Sequence, residues 1–181
     1  MVEQGQGTEG VAQIRQGIAA YQATGAEIER PHWFALLAEA YGKVGQAKEG
    51  LTVLAEALAV VDENGDRYYE AELYRLKGDL SLQSEVRGPK SEVSDPRSLT
   101  PDPQAEAEAE ACFQRAIEIA RRQQAKSLEL RAVMSLSRLW QQQGKKEEAR
   151  QMLAEIYGWF TEGFDTKDLQ EAKGLLEELK D

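Results

Sequence analysis

The chain has one cysteine, one histidine and five prolines in 181 residues. A single cysteine cannot close a disulfide within the chain, which makes an intracellular location the expectation. Structural zinc needs more Cys and His than are present, and any nucleophile–histidine pair would have to use His32. No apolar run approaches the roughly 18–20 residues that span a bilayer, and no basic-then-apolar segment resembles a signal peptide. Positive charge is scarce: 22 Lys and Arg stand against 32 Asp and Glu, a net charge of −10. That balance argues against wrapping DNA or RNA, where neutralising phosphates dominates affinity. Four of the five prolines lie between residues 84 and 104, which leaves Pro31 alone in the rest of the chain.

What remains is 41% hydrophobic, enough for one core of ordinary domain size. The chain repeats itself. A shift of 40 residues places Glu9-Gly10-Val11 over Glu49-Gly50-Leu51, Ile14 over Leu54 and Ile18 over Leu58. The same shift brings Phe34 onto Tyr74 and Ala38 onto Gly78, and later Ala109 and Phe113 onto Ala149 and Leu153. After Gly50 the next equivalent position should be residue 90, but the matching helix places it at Ala109, so 19 residues are inserted. The insertion falls in the Pro- and Ser-rich stretch 84–104, which is expected to be an extended, mobile loop that holds no helix.

Within each unit the apolar period is helical. Val11, Ile14, Ile18 and Tyr21 form one stripe, and Leu51, Leu54, Leu58 and Val61 repeat its spacing. A second stripe precedes each of these helices, as in Phe34, Leu37, Ala38 and Tyr41 or Val133, Leu136, Ser137 and Trp140. Gly45 and Gly144 sit between paired helices, suited to closing the first at a left-handed residue. Pro31 fits the first turn of its helix. Small residues recur at one position of the first helix (Ala38, Gly78, Ser137) and at one of the second (Gly10, Gly50, Ala109, Ala149), where they let backbones approach. In the middle unit Lys77 and Ser81 occupy apolar positions, so the stripe there is expected to rotate to Leu73, Leu76 and Leu80.

This pattern resembles the tetratricopeptide repeat. Phe34, Leu37, Ala38, Tyr41, Gly50, Leu54 and Ala57 match it, as do Val133, Leu136, Ser137, Trp140, Ala149, Leu153 and Ile156. The segments LLAEAYGKVGQAKEGL, AELYRLKGDL and EGFDTKDLQEAKGLLEEL resemble the carboxy-terminal repeat region of large bacterial regulatory proteins. Those proteins pair a cyclase-like or other effector domain with a signal-transducing P-loop ATPase. The resemblance implies an all-α, right-handed superhelix of about eight antiparallel helices in a single domain over residues 1–181. It also implies a cytoplasmic, non-enzymatic interaction module cut from a larger signalling protein.

The chain starts where a first helix should end, so the helix at 8–23 is expected to lack a partner. Val11, Ile14, Ile18 and Tyr21 would then be an exposed docking or self-association face. A helix at 165–180 carrying Leu169, Ala172, Leu175, Leu176 and Leu179 is expected to cap the other end.

Chemical motifs are sparse. Gly5 to Gly10 spells G-x-G-x-x-G, but a dinucleotide site needs a preceding strand that residues 1–4 cannot supply, so a repeat turn is preferred. Asp62 to Asp66 lacks calcium-loop spacing and is expected to be a solvated turn. Cys112 is expected to be an inert, buried thiol. Glu106, Glu108 and Glu110 do not share one face as a general acid and base would. Trp33, Trp140 and Trp159 are expected in the core. No catalytic residue, cofactor or metal is expected.

In the resembling repeats the first helix of each unit lines the groove. Here that lining would be His32, Ala35, Glu39, Glu72, Arg75, Asp79, Arg131, Met134 and Arg138. The residues that clamp a terminal carboxylate in chaperone-binding members are not reproduced. The expected partner is a protein or peptide segment, upstream domains of the same protein included, with no nucleic acid and no membrane. The alternative is a sensor that holds a small molecule or signal peptide in the same groove.

Overall fold

A computed structural model describes residues 2–25, 29–86 and 102–180, with the side chains of 2–6, 85 and 86 left aside. The regular secondary structure of the described residues is helical, and the chain is all-α. In order these are α1 (Val2–Ala23), α2 (Arg30–Lys43), α3 (Ala47–Asn64), α4 (Glu70–Val86), α5 (Pro103–Gln123), α6 (Lys126–Gln142), α7 (Lys146–Tyr157) and α8 (Lys167–Glu178). No described helix is long and apolar enough to cross a membrane.

The turns follow the sequence chemistry. Gly45 and Gly144 take φ of 74° and 79°, the left-handed region that favours glycine. The chain then folds back, and Gln46 N–H reaches Tyr41 O at 2.9 Å while Lys145 N–H reaches Trp140 O at 2.8 Å. These bonds satisfy helix-end carbonyls that would otherwise have no partner. Pro31 occupies the first turn of α2, as its missing N–H allows.

The insertion is narrower than 84–104. Residues 84–86 continue α4, and α5 starts at Pro103 behind Asp102, whose carboxylate accepts from Gln104 N–H at 3.0 Å. Proline at a helix start costs no hydrogen bond, so Pro103 opens a helix and does not break one. The remainder, 87–101, lies outside the described residues. α1 likewise runs through Gly5, Gly7 and Gly10, so these glycines lie inside a helix and not in a turn.

Helices α2, α4, α6 and α8 lie side by side, each touching the next, and α3, α5 and α7 pack between successive members of that row. The small residues sit where the backbones meet. Ala38, Ala109, Ser137 and Ala149 are fully buried. Gly50 has Leu80 of α4 and the Ala38 carbonyl of α2 against its bare Cα. Leu80 fills that space, so the apolar stripe of α4 turns to Leu73, Leu76 and Leu80, all buried, while Lys77 is exposed. Two cores result. One gathers α2, α3 and α4 around Leu54, Leu73 and Leu80, and the other gathers α5 to α8 around Phe113, Leu136 and Leu153. Tyr74 and Leu82 of α4 pack against the second core, so α4 is shared.

The expected exposed stripe of α1 is covered. Val11 is buried against Leu37 and Tyr41 of α2, with Ile14 and Ile18 partly buried beside it and Tyr21 half-buried near Trp33. The reason is that α2 follows α1 directly and turns its Leu37–Tyr41 edge back over the stripe. At the other end Leu169, Ala172 and Leu175 of α8, and Leu179 just past its end, are buried in the core that α6 and α7 share. Trp140 packs on the second core and donates its indole N–H to Glu110 at 3.0 Å, whereas Trp159, placed in the core by its sequence spacing, is 59% exposed beyond the end of α7.

One acid ties α5 to α6. Glu129 is buried and accepts from Arg121 Nε and Lys126 Nζ, each at 2.7 Å. Burial works to raise its pKa, but these two cations outweigh burial and hold the carboxyl below its ordinary value of 4.5. A carboxyl depressed by folding adds stability that is present above the unfolded value and lost as pH falls through the folded one. Glu129→Gln is therefore expected to lower stability at neutral pH and to flatten its loss below about pH 4.5, as read by urea titrations at successive pH values.

Candidate functional site

The row α2–α4–α6–α8 carries most of the residues expected to line a groove, but not all of them reach it. Ala35 and Met134 are buried in the two cores, and Glu72 is buried as well. Neighbouring helices of the row touch directly, so side chains at these positions face the next helix and not a groove. Glu39, Asp79, Arg131 and Arg138 keep contact with solvent.

Arg75 is the hinge of the charged network. Its guanidinium grips Glu72 with both ends, Nε to Oε2 at 2.9 Å and Nη2 to Oε1 at 2.7 Å, and donates through Nη1 to Asp79 at 2.6 Å. The residues sit at i, i+3 and i+7 of α4, which is why one helix face brings them together. Only 15% of the Arg75 side chain and 6% of that of Glu72 remain exposed. Burial opposes the Arg75 charge, yet Glu72 and Asp79 raise its pKa well above the usual arginine value. Asp79 is moved the other way: burial lifts its pKa, only partly offset by the Arg75 charge and a hydrogen bond with Ser135.

From this triad the network crosses helices. Arg131 of α6 lies 3.6 Å from Glu72 and donates to Asp168 of α8 at 2.6 Å, and Arg138 reaches Glu171 at 3.3 Å. On α2, burial works to raise the Glu39 carboxyl, but its 2.8 Å bond to Lys43 and the fields of Arg75 and Arg131 leave its pKa lowered. Asp168 and Glu171 complete the network. In the sequence they read only as the polar side of an end helix, with nothing to say that α8 lies beside α6.

His32 stands at the edge of this row, in a cleft of about 540 Å³ lined with Glu29, Pro31, Asp66, Tyr68 and Tyr69. Its ring meets Tyr69 edge-on at 4.5 Å and Trp33 at 5.1 Å. Tyr68 tilts onto Tyr69 at 5.7 Å and is 76% exposed. Sequence reasoning missed this cleft. Its signal was the adjacent pair Tyr68-Tyr69 directly before α4, just past the Asp62–Asp66 stretch expected to be a solvated turn.

Chemically the row offers ion pairs, hydrogen-bonding rims and an aromatic cleft. The sole histidine is in ring contacts, and the Cys112 thiol is pushed up in pKa by burial. Glu106 and Glu110 turn toward α6, accepting from Gln143 at 2.9 Å and Trp140 at 3.0 Å, so they act as inter-helix braces. Among the described residues no three His, Cys, Asp or Glu side chains group as a metal site would require. No protein-family model matches the chain, and no curated protein matches it.

Proposed function

We propose that this chain is a non-enzymatic interaction module of the tetratricopeptide type, acting in the bacterial cytoplasm as the regulatory end of a larger signalling protein. The α2–α4–α6–α8 row is its working face, and it holds a segment of a protein partner. The observation that carries this reading is the row itself. Helices α2, α4, α6 and α8 lie side by side, and ion pairs between α4, α6 and α8 run across them. The recurrence of small residues at Ala38, Gly78 and Ser137 supports a superhelical stacking of the units. Ion pairs along the face hold its side chains in place, so little ordering entropy is lost when a partner lands.

Arg138 and Glu39 are the residues to test, because both are solvent-facing and their pairs with Glu171 and Lys43 contribute little to stability. The immobilised chain should retain a protein from bacterial lysate that Glu39→Lys/Arg138→Glu fails to retain. Arg115→Glu, at an exposed position of α5 outside the row, should retain it normally. Equal capture by parent and face variant would move the interface off this row. A chain that captures no protein but is stabilised against heat by a small metabolite would instead be a sensor.

A further inference from the structure

We propose that the cleft beside His32 receives an arginine or lysine side chain from a basic segment of the protein partner. This rests on the reading of the chain as an interaction module and names what its face recognises. The walls are two tyrosines and a histidine, and the rim holds two carboxylates, Glu29 and Asp66. Tyr68 offers most of its ring to solvent, and such a face attracts cations through its quadrupole.

The carboxylates set the sign of the partner. Most acids of the charged row have a cation already: Glu39 has Lys43, Glu72 and Asp79 have Arg75, Asp168 has Arg131, and Glu171 has Arg138. Glu70, next to the cleft, has Arg67, which also takes Asp62. Glu29 and Asp66 have no ion pair among the described residues. An anionic ligand would meet these two charges with no free cation in the lining to offset them. A cationic one meets both charges and an aromatic face at once. The net charge of −10 favours approach of a basic segment over long range. The cleft is wide enough for one long side chain, and it opens at the edge of the row along which the rest of the segment can lie.

Glu29 supplies an unusually clean test. Its φ of 63° places a non-glycine residue in the left-handed region. Glu29→Gly should therefore remove the carboxylate without loss of fold. The experiment is an NMR titration of the full chain with three hydrophilic peptides identical except at the centre, which is Arg, Lys or Gln. The Arg and Lys peptides should shift the amides of residues 29–32 and 66–69, and the Gln peptide should not. Glu29→Gly/Asp66→Asn should weaken binding at least tenfold, and Tyr68→Ala about two- to fivefold, the range of an exposed cation–π contact. Binding of the Gln peptide equal to that of Arg would overturn the proposal, as would full binding by the double variant. Absence of shifts with all three peptides would also overturn it. If the lysate protein is still lost by the row variant in that case, the module reading stands and only the cationic specificity falls. Arginine amide binding as tightly as the peptide would make the cleft a small-molecule site and reject the docking role.

Discussion

Phe113→Ala is expected to destabilise the chain by about 3–5 kcal/mol, the cost of removing a fully buried aromatic side chain. Phe113 is the residue around which α5 settles on α4. Its ring lies over Gly78, and a Cβ built there would come within 2.5 Å of Cε1 and 2.9 Å of Cδ1 and Cζ. No flexible side-chain end is available to move aside, because the ring is packed on all sides. Gly78→Ala alone should gain about 1 kcal/mol of helix propensity and lose about 1–3 kcal/mol to overpacking, for a net loss. In the Phe113→Ala background the clash is gone, and the same substitution should become stabilising. Chemical denaturation of the four proteins of this cycle measures the coupling. Additive effects would mean that Gly78 does not set the α4–α5 distance.

Arg75→Ala is expected to cost about 3–5 kcal/mol at neutral pH, because it removes both guanidinium bonds of the buried Glu72 carboxylate, leaving it only Arg131 at 3.6 Å, and takes the cation from Asp79. Arg138→Ala, which breaks an exposed pair, should cost less than about 1 kcal/mol. The two arginines look alike in sequence and differ in what water can do for their partners. The pH dependence separates this account from simple loss of packing. Burial already raises the Asp79 carboxyl against the pull of Arg75, so without Arg75 it should titrate higher still in the folded chain. The resulting destabilisation is absent at low pH, where the folded and unfolded chains are both protonated, and grows as pH rises through the carboxylate range. The deficit relative to the parent should accordingly shrink on acidification. A deficit independent of pH would mean that Arg75 acts through its aliphatic stem alone. The same comparison makes Arg75 a poor probe of binding, since its loss would unsettle the face it belongs to.

Much of the architecture was legible in the chain because its signals are local or periodic. The 40-residue spacing of Ala38 and Gly78 marked equivalent helix positions, since close backbone approach demands a small residue wherever it recurs. Gly45 and Gly144 announced their turns because a positive φ favours one residue type. The rotation of the α4 stripe was legible as well, because Lys77 does not suit a buried position. The ends of the helices were less so. Gly5 to Gly10 and Pro103 are breakers by propensity, which suggests a repeat turn for the first and a loop for the second. A helix start tolerates proline, and Gly7 lets the side chain of Val44, just past α2, come close.

The candidate face divides in the same way. Sequence alone determined that the chain is helical, that its helices come in pairs, and which positions must be small. Periodicity states which side of a helix is apolar, and burial against some neighbour follows from that. It does not state which neighbour. Only the tertiary structure decided that α2 covers Val11, that Ala35 and Met134 go into the cores, and that Asp168 and Glu171 stand opposite Arg131 and Arg138. It also decided that Glu29 and Asp66, 37 residues apart, share one cleft with Tyr68. Ion pairing and cleft formation depend on distances between elements far apart in the chain, and side-chain type alone carries no such distance.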